Sequence, residues 1–328
     1  MTARWRSSVA LLCFAVTSAS SADEDATFVV DSVAISGGSQ HSCALDSAWR
    51  ARGQMGAPIR CWGSPQHGML SVPAGDFVQV TAGLSHSCAL RVNGTVQCWG
   101  VSGLSESPTA EGNFIQVSAG GFHSCALRTD GSVFCWGKDN HGQLQVPAVP
   151  HGVRFSQLSA GKDNVCALRD DERIACWGSN TKGQSDPTPP AADDRFVQVS
   201  CALGAHCCAL RKGTHTAFCW GSNMFGQTTS PSGVRFTQIS TGERFSCGIR
   251  APGPDGAPVP AKDALLCWGM LSGGAPRLAE ELASLDEVAA GQRHVCVVAR
   301  PHDRDGNPTV VCFGAGSHGV KNAPRSID

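Results

Sequence analysis

The sequence has no tyrosine and little charge: in 328 residues, 26 lysines and arginines stand against 27 aspartates and glutamates, a formal net charge of −1. So even a balance supplies no positive field of the kind that holds nucleic acid, and no nucleic-acid partner is expected. After the first 22 residues no apolar run approaches the length of a membrane span. The G-x-S-x-G, H-E-x-x-H, phosphate-loop and kinase signatures are missing, as is C-x-x-C, the usual mark of a zinc site. No metal and no other cofactor is expected, and no catalytic residue stands out.

What is present starts with an export signal. Met1 to Arg6 form a positive n-region and Val9 to Val16 a short apolar h-region. Ser20 and Ala22 are the small residues for cleavage before Asp23. The reading is a signal peptide over 1–22 and one mature domain over 23–328, secreted, periplasmic or at the cell surface, where oxidising conditions favour disulfides. Of 17 cysteines Cys13 leaves with the signal, and the rest are even in number, as full pairing requires.

Those cysteines are periodic. A CWG string recurs at Cys61, Cys98, Cys135, Cys176, Cys219 and Cys267, with CFG at Cys312. Each follows a partner in a CAL-like string at Cys43, Cys88, Cys125, Cys166, Cys208, Cys247 and Cys296. The Trp positions and Phe313 lie 37 to 48 residues apart, the span of propeller blades. Each unit opens on an alternating, β-branched strand such as FVQVTAG from Phe77 or FIQVSAG from Phe114. The CAL strand, a turn and the CWG strand follow. Then comes an N-x-x-G-Q string, read at Asn140–Gln143, Asn180–Gln184 (with one extra residue) and Asn223–Gln227. A short fourth strand over Gln143–Pro147 would complete each blade. Only Arg277–Val288 suggests a helix. Isolated blades cannot bury both faces, so the fold class is all-β: a closed seven-bladed β-propeller of four-stranded antiparallel blades, one disulfide per blade.

The hairpin spacing supports those staples. With Thr129, Asp130 and Gly131 as a three-residue loop and Gly131 left-handed, pairing counts back to Cys125 opposite Cys135 at a non-hydrogen-bonded site, about 4.5 Å apart at Cα. That is within disulfide range. Cys88 and Cys98 repeat the pattern around Gly94. Cys166 and Cys176 keep it with Glu172 in the glycine's place. Cys208 and Cys219 need a bulge or a different loop. The longer loops of Cys43–Cys61, Cys247–Cys267 and Cys296–Cys312 leave the register weakly set. Cys201 and Cys207 fall outside the repeat and are assigned to each other, with Cys207–Cys219 as the rival that frees Cys208. Each short staple is worth about 3 kcal/mol by loop entropy. Seven such pairs on seven blades stand too far apart to share a zinc ion.

Histidine stands two before the first cysteine in His41, His86, His123, His206 and His294, while Asn164 and Phe245 hold that place in the other blades. A residue repeated at one structural position reads as packing and hydrogen bonding, not as a base or ligand. The CWG tryptophans read as apolar area between blades. Asn93-Gly94-Thr95 is a glycosylation sequon at a hairpin tip, relevant in a eukaryotic host. Asp303–Asn307 reads as a turn. The irregular segments Ser47–Pro58, Asp186–Asp194, Ala251–Asp263 and Pro301–Pro308 break the repeat length and are the places to look for function.

The string G-x-x-H-x-C-A-L followed by D-G-x-V-x-C-W-G-x-N-x-x-G-Q-L, strongest over Gly120–Leu144, resembles the regulator of chromosome condensation repeat family across residues 27 to 320. The cysteine-paired form is similar to the crinkly repeats of plant receptor kinase ectodomains and to exported bacterial repeat proteins. A secreted β-lactamase inhibitor is similar in its WG-x-N-x-x-G-Q strings without the staples. The resemblance implies a seven-bladed propeller. Its founding activity, nucleotide exchange on a nuclear GTPase bound to chromatin, sits poorly with export, paired cysteines and neutral charge. The reading is therefore a monomeric, non-enzymatic extracellular scaffold that binds a protein or peptide through loops on one rim, inhibition of a secreted enzyme being a special case. The alternatives are an enzyme with acid, base or metal-binding groups in the axial channel, or an exchange factor with free thiols.

Overall fold

The computed structural model describes residues 35–46, 56–101, 103, 112–189, 191–201, 203–253, 256–272, 278, 282–301 and 308–315. The expected signal peptide and the Asp303–Asn307 turn lie outside the described residues. Among the described residues twenty-one strands form seven separate three-stranded antiparallel sheets in chain order. Blade 1 is β1 Ile35–Gly37, β2 His41–Leu45 and β3 Ile59–Gly63; blade 2 is β4 Phe77–Ala82, β5 His86–Arg91 and β6 Val96–Gly100. Blade 3 is β7 Phe114–Ala119, β8 His123–Arg128 and β9 Val133–Gly137; blade 4 is β10 Phe155–Ala160, β11 Asn164–Arg169 and β12 Ile174–Gly178. Blade 5 is β13 Phe196–Cys201, β14 His206–Arg211 and β15 Ala217–Gly221; blade 6 is β16 Phe236–Thr241, β17 Phe245–Arg250 and β18 Leu265–Gly269. Blade 7 is β19 Leu282–Ala290, β20 His294–Pro301 and β21 Thr309–Gly314.

The middle strand explains the H-S-C-A-L string. Its residues are buried on both faces. His, Cys and Leu face the next blade, and Ser and Ala face the one before. Cys43 and Leu45 thus pack with Phe77, Val80, Ala89 and Trp99 of blade 2. An apolar cluster of this kind fills each of the seven interfaces, and Ile35, Ala44, Trp62, Cys296 and Val298 join blade 7 to blade 1. The ring is closed.

Backbone bonds repeat the closure on both rims. At one rim, the residue after each G in G-x-x-H donates to the blade beyond: Ser39 N–H to Gly83 O, Leu84 N–H to Gly120 O, and Gln292 N–H to Gly38 O across the seam. At the other rim the opening Phe N–H of each of blades 3 to 6 binds the hairpin tip of the preceding one: Phe114 to Gly94 O, Phe155 to Gly131 O, Phe196 to Glu172 O and Phe236 to His215 O. Those tip residues all have positive φ, +76° and +80° for Gly94 and Gly131 and +66° and +56° for Glu172 and His215, which turns their carbonyls toward the neighbour. Glu172 therefore keeps the glycine-type turn, and Lys212 pairs with its carboxylate.

The hairpin register is as the spacing predicts. Cys125 faces Cys135 with Cα atoms 4.1 Å apart, and Arg128 N–H bonds Ser132 O to close the three-residue loop. The extra residue between Cys208 and Cys219 is absorbed by a four-residue loop closed by Arg211 N–H to Thr216 O, with no bulge in the ladder. The structure pairs Cys43–Cys61, Cys88–Cys98, Cys166–Cys176, Cys208–Cys219, Cys247–Cys267 and Cys296–Cys312 within their blades, and adds Cys201–Cys207 in blade 5.

Three expectations need correction. Among the described residues each blade has three laddered strands, not four. Gln143–Pro147 makes only turn bonds, and Pro147 and Pro150 supply no donors. That segment instead offers a carbonyl to the next blade, as Trp177 Nε1–H donates to Gln143 O and Trp220 Nε1–H to Gln184 O. The N-x-x-G-Q strings also share one length. Asp139, not Asn140, matches Asn180 and Asn223, because its Oδ1 accepts from Leu144 N–H as theirs accept from Ser185 and Thr228. Finally, the Arg277–Val288 stretch is not helical where it is described: Leu282–Ala290 is the first strand of blade 7. Its leucines and alanines suit a helix, but the ring requires a strand there.

Candidate functional site

The first strands of all seven blades line an axial channel of about 170 Å³. A first strand has no partner on its axial side, so its N–H groups need acceptors. The preceding blade supplies them from two side chains. Gln79 Oε1 accepts from Val117 N–H, Gln116 from Leu158, Gln157 from Val199, Gln198 from Ile239 and Gln238 from Val288, all at 2.7–2.9 Å. Two positions on, Ser36, Thr81, Ser118, Ser159, Ser200 and Ser240 accept from Ala82, Ala119, Ala160, Cys201, Thr241 and Ala290. The polar lining thus holds the ring together. At the seam Glu287 takes the glutamine's place, 3.4 Å from Ile35 N, and Ala289 the serine's. Among the described lining residues Glu287 is the one acid, and the one cysteine, Cys201, is held in its disulfide with Cys207.

The histidines form a second belt. His41 Nε2 meets Ser87 Oγ at 2.7 Å, His86 meets Ser124 at 2.8 Å, His206 meets Ser246 at 2.9 Å and His294 meets Ser42 at 2.6 Å across the seam. Ser246 donates to Gln227 O, so it accepts from His206 and fixes the Nε2–H tautomer there. No Nδ1 of the five has a hydrogen-bond partner. Burial holds these rings neutral, pushing His41 down to about 3 and His86, His123, His206 and His294 to about 4. For His41 the neighbouring His86 and His294 add repulsion.

The partner residues vary with the histidine. Phe245 stands where blade 7 offers Val295, an apolar pair in place of a polar one. His123 faces the blade that offers Val165, and the Asn164 backbone lies close without completing a hydrogen bond, so neither ring nitrogen is paired. An unpaired buried group costs about 1–3 kcal/mol. We expect His123→Phe, which copies the Phe245–Val295 pair, to raise stability by about 1 kcal/mol in urea unfolding. His86→Phe, which strands Ser124, should lower it; equal effects would contradict the pairing rule.

The described ends of the irregular segments lie at the hairpin rim. Ser47–Pro58, Ala251–Asp263 and Pro301–Pro308 are the middle-to-outer strand connections of blades 1, 6 and 7, and ring closure makes these three blades neighbours. In blade 6 Gly256–Pro258 are exposed, and Gly253 N–H bonds Ala257 O in a turn. The short helix α1, Ala261–Ala264, buries both alanines against β19 of blade 7. Residues 47–55, 254–255 and 302–307 are outside the described set. Asp186–Asp194 joins blades 4 and 5, where Asp194 pairs with Arg211 at 3.3 Å. Asn93 is exposed at the blade 2 tip, and its Oδ1 accepts from the Thr95 hydroxyl at 2.7 Å. That the three insertions belong to adjoining blades is invisible until blade 1 is placed beside blade 7.

Comparison with known proteins agrees with this geometry. The regulator of chromosome condensation (RCC1) repeat matches residues 77–103, 114–143 and 155–184, which are blades 2, 3 and 4 with their following turns. The CRINKLY WD40 ectodomain of the Arabidopsis thaliana receptor kinase ACR4 is 24% identical, covers 89% of this chain and 98% of its own, and superposes with a TM-score of 0.69. The ectodomain of the Physcomitrella patens receptor kinase CR4 is 23% identical over 87% of this chain and 73% of its own, TM-score 0.68. Prp20p of Saccharomyces cerevisiae, described for its binding to Gsp1p and histones, is 17% identical over 83% of each chain, TM-score 0.63. At these identities the likeness is one of fold.

Proposed function

Starting from a propeller that carries regulator of chromosome condensation repeats and pins every blade with its own disulfide, we propose that the chain is an exported, monomeric binding scaffold. It recognises a protein or peptide through the hairpin rim of blades 6, 7 and 1. The observation that carries this reading is which blades bear the long connections: three of the four segments that break the repeat length leave and re-enter blades 6, 7 and 1, which adjoin in the closed ring, at their hairpin ends. Exposed loops on a rigid frame are the usual seat of recognition. The channel offers less, because its amides and hydroxyls are engaged in joining blades. Residues 1–22 act as the export signal, the oxidised cysteines suit the compartment it leads to, and Asn93 would carry a glycan in a eukaryotic host. Catalysis and nucleotide exchange form no part of this role.

The test is capture of partners from the exported-protein fraction by the mature chain, followed by cross-link mapping. A variant with residues 252–259 replaced by a glycine-serine linker is the comparison, its thermal unfolding checked first. Loss of the captured partner with unchanged unfolding is expected, with cross-links on blades 6, 7 and 1. Full capture by the variant, or a footprint on the opposite rim, removes this surface.

A further inference from the structure

The junction of blades 4 and 5 departs from its siblings in a way that the scaffold role does not use. In four other blades the first cysteine faces a serine hydroxyl: Cys88 Sγ lies 3.5 Å from Ser124 Oγ, Cys208 3.5 Å from Ser246, Cys43 3.8 Å from Ser87 and Cys296 4.0 Å from Ser42, while Cys125 and Cys247 pack with Val165 and Val295. At Cys166 the serine's place belongs to Cys207, whose Sγ is 3.6 Å away and bonded to Cys201. The sulfurs of Cys166, Cys201 and Cys207 lie within 4.8 Å of one another, all buried. Asn164, in the histidine position, aims Nδ2 at Cys207 Sγ (3.5 Å) and Cys201 Sγ (3.9 Å). Cys176 is partly exposed, Cys166 and Cys207 are fully buried, and Cys201 lines the axial channel. Four sulfurs thus run from the outer part of blade 4 to the axis.

We propose that these two disulfides form a thiol–disulfide exchange centre that takes a small-molecule thiol at Cys176 and delivers a free thiolate at Cys201. The entering thiolate attacks Cys176 Sγ, forming a mixed disulfide there and breaking the Cys166–Cys176 bond. The electron pair leaves on Cys166. At rest Cys166 sits beside the Cys201–Cys207 bond, not at its end, so the oxidised pair is quiet. Once released, Cys166 turns about its Cα–Cβ bond into line and attacks Cys207 Sγ. The Cys201–Cys207 bond breaks, a Cys166–Cys207 bond forms, and the pair of electrons leaves on Cys201. One thiolate is consumed and one released, with no net oxidation. The Asn164 amide N–H groups stabilise the charge as it passes. The product links the middle strands of blades 4 and 5, β11 and β14, and places a nucleophile in the channel. In every other blade the released cysteine meets a hydroxyl or a valine and can only return to its own partner.

The experiment uses the intact wild-type chain and carries its own control. Oxidised protein is exposed to limiting 2-mercaptoethanol at mildly alkaline pH, quenched in acid, labelled with N-ethylmaleimide and mapped without reduction. Molecules with an adduct on Cys176 should show Cys166 joined to Cys207 and the maleimide on Cys201, whereas molecules with an adduct on Cys98 should carry the maleimide on Cys88. Maleimide on Cys166 beside an intact Cys201–Cys207 bond would overturn the proposal. A Cys201→Ala, Cys207→Ser variant restores the serine of the sibling blades, and its label should move back to Cys166. If Cys166 in that variant is instead found joined to a cysteine of another blade, the wild-type transfer is random scrambling and the relay is wrong.

Discussion

Acidification from neutral pH to pH 5 is expected to remove about 10 kcal/mol of stability, enough to loosen the whole ring. The cause is the histidine belt. In the unfolded chain each imidazole titrates near its ordinary 6.5; in the ring His86, His123, His206 and His294 titrate near 4 and His41 near 3. Between these values the unfolded chain binds more protons than the native one, so stability is complete above pH 6.5 and falls as the pH drops toward 4. Each unmatched proton is worth about 1.4 kcal/mol per pH unit, or about 2 kcal/mol per histidine by pH 5, and the five act in one direction. That sum approaches the total stability of ordinary domains. The disulfides stay closed in acid, so the expected product keeps its hairpins while the interfaces open. Urea midpoints between pH 7 and pH 4.5 measure the slope, and a flat profile would mean that the rings are solvated or paired at both nitrogens.

The second large effect is expected at the glycine three residues before the histidine. A methyl group on Gly83 would lie 2.3 Å from Gly120 O of the next blade and 2.9 Å from His86 Cε1; on Gly120 it would lie 2.4 Å from Gly161 O and 2.5 Å from His123 Cε1. The backbone carbonyl cannot move away, because it accepts the Leu84 or Gly121 N–H that closes the interface. Gly83→Ala should therefore cost about 3 kcal/mol or more, at the upper end of overpacking effects. Blade 6 shows that the requirement is for space and not for histidine as such: a methyl group on Gly242 would lie 2.3 Å from Phe245 Cε1. Pairing Gly83→Ala with His86→Ala relieves the ring contact alone, so most of the loss should persist. Recovery of near wild-type stability would place the clash on the side chain instead.

Much of this was legible in one repeat. The F-x-Q-V-S-A-G, C-A-L and C-W-G strings give three strands in order, and Gly131 with the ten-residue cysteine spacing gives the hairpin register. What a single repeat hides is any contact made with the next one. The Gln79–Val117 and His86–Ser124 bonds join residues about one blade apart, so the glutamine and histidine look like free functional groups until they are read against their neighbour's sequence. Blade 7 was partly hidden for another reason. Leu282–Val288 is rich in helix formers, yet Glu287-Val288-Ala289-Ala290-Gly291 lines up with Gln79-Val80-Thr81-Ala82-Gly83, and that alignment, more than local propensity, decides the strand. The fourth strand was lost to Pro147 and Pro150. That the inserted connections belong to adjoining blades depends on closure, which no local pattern reports.

Because blades 2 to 6 each lend two side-chain acceptors forward to the next blade's bare inner edge, and blade 7 lends one through Glu287, a partial assembly always ends on a strand with nobody upstream to serve it. An open stack of independent modules can gain or shed a member at its tip with little penalty; here every length short of the full circle leaves one row of amide donors facing water or nothing. Closure is thereby demanded by chemistry as well as by shape, and the molecule is expected to form and come apart as one unit.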